Sequence, residues 1–208
     1  MERDEALALL RRYVTSPSHI IQVAPAVLLL RPFTPNGAHV PALRPVAFGP
    51  THSHATAAVM RKAAEHLGED AATWEVIGLL HDIVGGDKER HGVEGYRILI
   101  ENGVSEEIAD IVRRHNHMLF GDYVRPVEVV LQAADSASGL IIACALVKGG
   151  AIDEVTPRTV KKKFKEKSFA AGCERERIRM IEPLMDLETF YRIAIEGLTE
   201  GRGDLDLG

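Results

Sequence analysis

The stretch "EVIGLLHDIVGG", residues 75–86, sets His81 and Asp82 side by side inside an apolar run. Burying an unpartnered charge is costly, and such a group usually neutralises instead. The pattern therefore calls for partners elsewhere in the chain. Read as a helix over 71–84, capped by Asp70 and ended by Gly85-Gly86, it places His81 on a stripe with Trp74, Ile77 and Val84. Asp82, about 100° round the helix, joins Leu79 on the adjacent apolar flank.

Working outward, the same test sorts the other polar residues. Residues 52–67 contain no Pro or Gly and stop at Gly68. From His52 the helical face carries Ala55, Thr56, Val59, Met60 and Ala63; from His54 it carries Arg61, Lys62 and Glu65. His52 thus points inward and His54 outward. A third helix over 89–102, closed by Asn102-Gly103, puts His91 with Gly95, Ile98 and Leu99. Ser105 caps a fourth, with Glu106 and Glu107 in its first turn, and there His115 shares a face with Ile108, Ile111 and Val112. The run "VVLQAADSASGLIIACALV" (129–147), in a helix beginning near Pro126, carries Asp135 as its single charge, with Leu131 and Ile142 on the same face. Gln132, Ser136 and Ser138 mark this run as the buried helix of a soluble bundle rather than a membrane span.

A first amphipathic helix over 3–13 and three short ones over 157–166, 174–182 and 187–198 complete an all-α reading. The exception is 16–50, which holds seven of the ten prolines (17, 25, 32, 35, 41, 45 and 50) and reads as an irregular insertion. One domain over 1–208 follows, with a metal-binding core at 52–147 and C-terminal helices at 151–198.

Net charge is −5, from 25 basic against 30 acidic residues, so no basic face dominates and nucleic acid is not expected as a partner. The lysines at 161, 162, 163, 165 and 167 read as a local solvated face. Cys144 and Cys173 form no CxxC and suggest neither a disulfide framework nor a zinc ribbon. The start, "MERDEALALLRRYV", lacks the apolar core of a signal peptide, so the expected location is cytoplasmic, with no membrane partner. Self-association as a homo-oligomer stays open.

Five helices each send His or Asp inward, while their apolar stripes carry no Lys or Arg. Two neighbouring buried carboxylates repel unless a cation lies between them. His52, His81, Asp82 and Asp135 offer two imidazoles and two carboxylates without a thiolate. That set suits Mn, Fe, Co, Ni or Mg better than structural zinc. His91 and His115 are placed to hold a second ion, with Asp82 as the bridge.

The order His52 … His81-Asp82 … Asp135 resembles the HD superfamily of metal-dependent phosphohydrolases, all-helical proteins named for the His-Asp pair. The stretch "KKKFKEKSFAAGCERE" (161–176) is similar to the C-terminal part of a small bacterial and archaeal group of predicted HD hydrolases. In that group the helix matching "EALALLRRYV" runs almost directly into the first metal histidine. Here the insertion intervenes, and His54 is the alternative first ligand. The resemblance implies an HD-type helical bundle in which His52, His81, Asp82 and Asp135 bind one metal. It further implies His91 and His115 at a second, as in dinuclear members. The "HNH" at 115–117 lies near no strand signal and is read as a chance match to the nuclease motif.

The expected activity is hydrolysis of a nucleotide or small phosphorylated metabolite by metal-activated water. Asp82 is catalytic as well as a ligand, and Asp87 is a candidate general acid or base. Lys148, Lys167 and His117 are candidates for contacting the substrate. Two alternatives accompany this reading: a di-iron oxygenase on the same fold, and a non-catalytic metal-stabilised module that binds a ligand.

Overall fold

Helix α2 (Pro50–Leu67) packs against three others: α3 (Ala71–Leu80), α6 (Pro126–Leu146) and α9 (Leu187–Glu200). The computed structural model describes residues 1–14, 50–84, 92–205 and 207. Among these the remaining helices are α1 (Arg3–Tyr13), α4 (Val93–Glu101), α5 (Glu106–Arg114), α7 (Pro157–Lys165) and α8 (Arg175–Arg179). Short 3₁₀ turns occupy Ile152–Glu154 and Arg202–Asp204, and no strand occurs among the described residues. The all-α bundle expected from the sequence is the fold. The insertion at 16–50 falls, apart from Pro50, outside the described residues, as do Asp87 and His91.

The small residues of α2 set how closely its neighbours approach. A Cβ on Gly78 of α3 would lie 2.5 Å from the Ala57 Cα, and one on Gly197 of α9 would lie 2.5 Å from the Ala58 carbonyl oxygen. Two helices thus meet α2 at backbone distance along an alanine-rich surface. On its third side Thr56 Oγ1 stands 3.5 Å from Ser138 Oγ of α6.

Helix α6 is long and apolar enough to cross a membrane, yet most of its surface is buried. Helices α2, α5, α7, α8 and α9 cover it. Pro126 starts it, and Glu128 accepts from the Arg125 backbone N–H at 3.2 Å. The Asp70 and Ser105 caps form as expected, Asp70 accepting from the N–H groups of Ala72 and Thr73 and Ser105 from Ile108.

Two helices are shorter than their periodicity suggests. The expected helix over 71–84 ends at Leu80, so His81 and Asp82 stand in the turn that follows. The expected helix over 174–182 is only Arg175–Arg179. Pro183 cannot donate and disfavours helical backbone at Glu182. The chain there closes with three-residue turns instead, Glu182 N–H to Arg179 O at 3.0 Å and Leu184 N–H to Ile181 O at 2.8 Å.

The turn between α7 and α8 is wound around one guanidinium. Arg175 donates to the carbonyls of Ala170 (2.7 Å), Cys173 (2.6 Å) and Phe164 (3.3 Å), and also to that of Phe169. This explains how a five-residue helix, too short to persist alone, keeps a fixed position against α6.

Gly78→Ala tests the backbone contact. Helix propensity alone would reward the change by about 1 kcal/mol. The clash with Ala57 should reverse the sign and cost roughly 1–3 kcal/mol, read as a lower urea midpoint at an unchanged m-value.

Candidate metal centre

The end of α3 leaves a carbonyl without its helical donor. In a continued helix Gly78 O would accept from Asp82 N–H. Here the side chain of His81 takes that place, with Nδ1 2.7 Å from Gly78 O. A carbonyl only accepts, so Nδ1 carries the proton. Burial lowers the His81 pKa, so the ring is neutral and its lone pair sits on Nε2.

That lone pair faces other acceptors. His81 Nε2 lies 3.2 Å from His52 Nε2, 3.5 Å from Asp82 Oδ2 and 3.9 Å from Asp135 Oδ1. His52, from the first turn of α2, approaches Asp135 Oδ1 at 2.9 Å and Asp82 Oδ2 at 3.6 Å. Burial opposes charge on His52, but the hydrogen bond and charge of Asp135 prevail and raise its pKa. A proton on His52 relieves part of the conflict. A divalent cation receiving both imidazole lone pairs and both carboxylates relieves all of it. His52, His81 and Asp135 offer ligand atoms within 4.8 Å of one another, as do His81, Asp82 and His115. The residues fit a metal ion.

Asp135 projects from the middle of α6 and is shared. Oδ1 faces His52, while Oδ2 lies 2.6 Å from Arg177 Nη1 of α8 and 3.5 Å from His115 Nε2. Burial works against its ionisation, yet the charge of Arg177 and the His52 hydrogen bond hold its pKa well below the usual carboxylate range. Gln132, on the same face of α6, fixes Arg177 by accepting from Nε at 2.8 Å. It also donates to the His115 carbonyl at 3.0 Å. Burial drives the His115 pKa well below its ordinary value.

His115 sits just past α5, and a buried carboxylate holds that helix end. Glu128, only 2% exposed, pairs with Arg114 of α5 at 2.6 Å and with Arg125 at 2.8 Å. Burial disfavours its charge, but the two guanidiniums prevail and lower its pKa to about 2.

The inward reading of His52 holds: it is 4% exposed and part of the cluster. His54 lies elsewhere, lining a polar cleft with Arg3, Arg61 and Glu75, its Nδ1 3.8 Å from Asp204. Lys148 is not at the site. It pairs with Glu154 at 3.6 Å, beyond the far end of α6, about 20 Å along the axis from Asp135 at helical rise. Lys167 is exposed in the turn after α7. Among the described residues the side-chain cation that reaches the cluster is Arg177, which helical periodicity does not single out, nor does it single out Gln132. Gln132 was detectable only through Asp135, which it precedes by three residues on the same helix. Arg177 had a weaker signal, standing four residues from both Cys173 and the buried Ile181. His117 is exposed at the turn after His115, with Nε2 3.5 Å from Glu174.

Residues 50–140 match the family model described as the HD domain, and this stretch is an HD domain. It contains all four expected ligands. The family consists in general of metal-dependent phosphohydrolases, and its members bind divalent metals. The chain matches no curated protein and no solved structure at a significant level.

The depressed pKa of Glu128 predicts a pH signature. Its contribution is fully present above its unfolded value of 4.5 and is lost as pH falls through about 2. Because its arginine partners reach solvent, screening trims this to about 1–2 kcal/mol. The stability gap between wild type and Glu128→Gln should therefore narrow by that amount between pH 5 and pH 2, measured by urea denaturation.

Proposed function

We propose that the protein is a metal-dependent phosphohydrolase acting on a nucleotide or another small phosphorylated metabolite. One observation carries the reading. The neutral His81 ring turns its lone pair toward two carboxylates and a second imidazole, an arrangement that a divalent cation resolves. His52, His81, Asp82 and Asp135 would hold the ion. When bound, such a cation supplies Lewis acidity toward a phosphate oxygen and toward water.

The chain's own groups supply the rest. The Asp82 side chain, 27% exposed against 5% for His52 and none for His81, marks the open side of the cluster. A phosphate ester approaches from there. Arg177 keeps N–H groups on its terminal nitrogens for the phosphate oxygens, a geometry its planar fork suits. Asp82 takes up the proton that water loses as it attacks phosphorus, and as the P–O bond breaks the leaving oxygen takes a proton from solvent and departs as the alcohol. His52, His81 and His115, each 5% exposed or less, keep bulk water from the inner side.

The test is phosphate release from nucleoside monophosphates and small phosphate esters by the full chain. Metal-stripped protein is compared with protein reloaded with Mn²⁺, Co²⁺, Ni²⁺, Fe²⁺ or Mg²⁺. Activity should appear only with metal and fall by at least about 100-fold in Asp82→Ala, while Lys148→Ala stays within about twofold of wild type. Hydrolysis that persists without metal, or in Asp82→Ala, overturns the proposal. So does inertness toward every ester with every ion.

A further inference from the structure

We infer that Arg177 is a positioning residue for the candidate metal ligand Asp135: it holds one carboxylate oxygen away from the ion, so that Asp135 gives the metal Oδ1 alone. The inference rests on the metal-dependent reading above. It goes beyond that reading in naming a group outside the ligand set that fixes a coordination mode.

The two oxygens of Asp135 have separate surroundings. Oδ1 is turned to the ring nitrogens, 2.9 Å from His52 Nε2 and 3.9 Å from His81 Nε2. Oδ2 lies 2.6 Å from Arg177 Nη1. A carboxylate binds a metal through one oxygen or through both, and its last torsion is soft enough to swing between the two. Here the swing is opposed. Bringing Oδ2 onto the ion would break a short charge-assisted hydrogen bond, roughly twice as strong as a neutral one. The side chains of Arg177 and Asp135 are only 11% and 13% exposed, so water is poorly placed to replace the lost partner.

Nor is the guanidinium free to follow the carboxylate. Gln132 accepts from Arg177 Nε at 2.8 Å and is itself tied to the His115 carbonyl at 3.0 Å. Gln132 and Asp135 stand three residues apart on α6, so one face of that helix presents both the clamp and the ligand. The turn that carries α8 is seated on α6 one turn beyond Asp135. There Cys173 Sγ fills the notch at Gly139, where a Cβ would stand 2.9 Å from it. With Arg175 gathering the carbonyls of the same turn, the reach from α8 to Asp135 is set by packing rather than left to a loose side chain.

The consequence is chemical. A carboxylate bound through both oxygens takes two coordination positions, and one bound through Oδ1 takes one. The position saved is left for water or for a phosphate oxygen, the groups that a hydrolytic ion must bring together.

The full-length chain loaded with Mn²⁺ reads this without substrate. Pulsed electron paramagnetic resonance in isotopically labelled water counts the waters on the ion. Arg177→Met should lose one of the waters that wild type holds, as Oδ2 swings onto the ion. Arg177→Lys, which keeps a cation beside Oδ2, should restore the wild-type count. Gln132→Met, which removes the clamp and leaves the charge of Arg177 in place, should show a mixture of the two. An unchanged count in folded Arg177→Met overturns the inference. Should that variant not fold, a structure of Mn²⁺-loaded wild type decides: Oδ1 alone on the ion supports the inference, and both oxygens on the ion overturn it. A chain that binds no divalent ion sinks this inference and the phosphohydrolase reading together. An unchanged count in a metal-dependent phosphatase sinks this inference alone, and the expected counts in a protein that hydrolyses nothing sink only that reading.

Discussion

Gly78 serves the structure twice. Its missing side chain lets α3 lie on α2 at backbone distance over Ala57, and its carbonyl holds the imidazole of His81. The first effect brings His52, on α2, and His81, in the turn after α3, to a separation of 3.2 Å between their Nε2 atoms. The second fixes which nitrogen of His81 faces inward. A short side chain such as His cannot compensate for helices that stand further apart. Ligand spacing here is therefore a property of helix packing, and the alanine-rich surface of α2 belongs to the site as much as the histidines do.

The electrostatics follow from that closeness. Pressing two carboxylates and two imidazoles together in a largely buried pocket is unfavourable unless positive charge enters. Asp135 shows how the chain arranges this: one oxygen turns to the imidazole side and the other to Arg177. The carboxylate stays ionised although burial opposes it. The group that must be an anion for coordination is kept one by a permanent neighbour.

How much of this could be read from residues alone depends on the residue. His52 and Asp135 were legible because each sits in a long helix whose stripe is otherwise apolar, and helical spacing also separated His52 from His54. The His81-Asp82 pair was legible as a site but not in its backbone, since periodicity does not reveal that α3 stops at Leu80. Nothing in the local sequence announces that a side chain will replace a helical N–H at Gly78. The basic partner was misplaced. Lys148 follows the Asp135 helix in sequence, yet a helix of that length carries its end far from its middle. Arg177 lies 42 residues beyond Asp135 in a five-residue helix, too short for periodicity to register. Its contact with Asp135 is purely tertiary.

The match to the HD domain ends at residue 140, yet the charge balance of the site does not close within it. All four candidate ligands lie inside 50–140, whereas Arg177 comes from α8, which packs on α6 from outside that stretch. Helix α9 does a parallel job for packing, pressing Gly197 against Ala58 on α2. The Arg175 turn joins these roles, because carbonyls gathered from Phe164 to Cys173 hold the helix that delivers Arg177. The lysine-rich stretch before it thus leads into the device that sets the cation in place. The HD segment brings the candidate ligands together, and the C-terminal helices add the positive charge of Arg177 beside them.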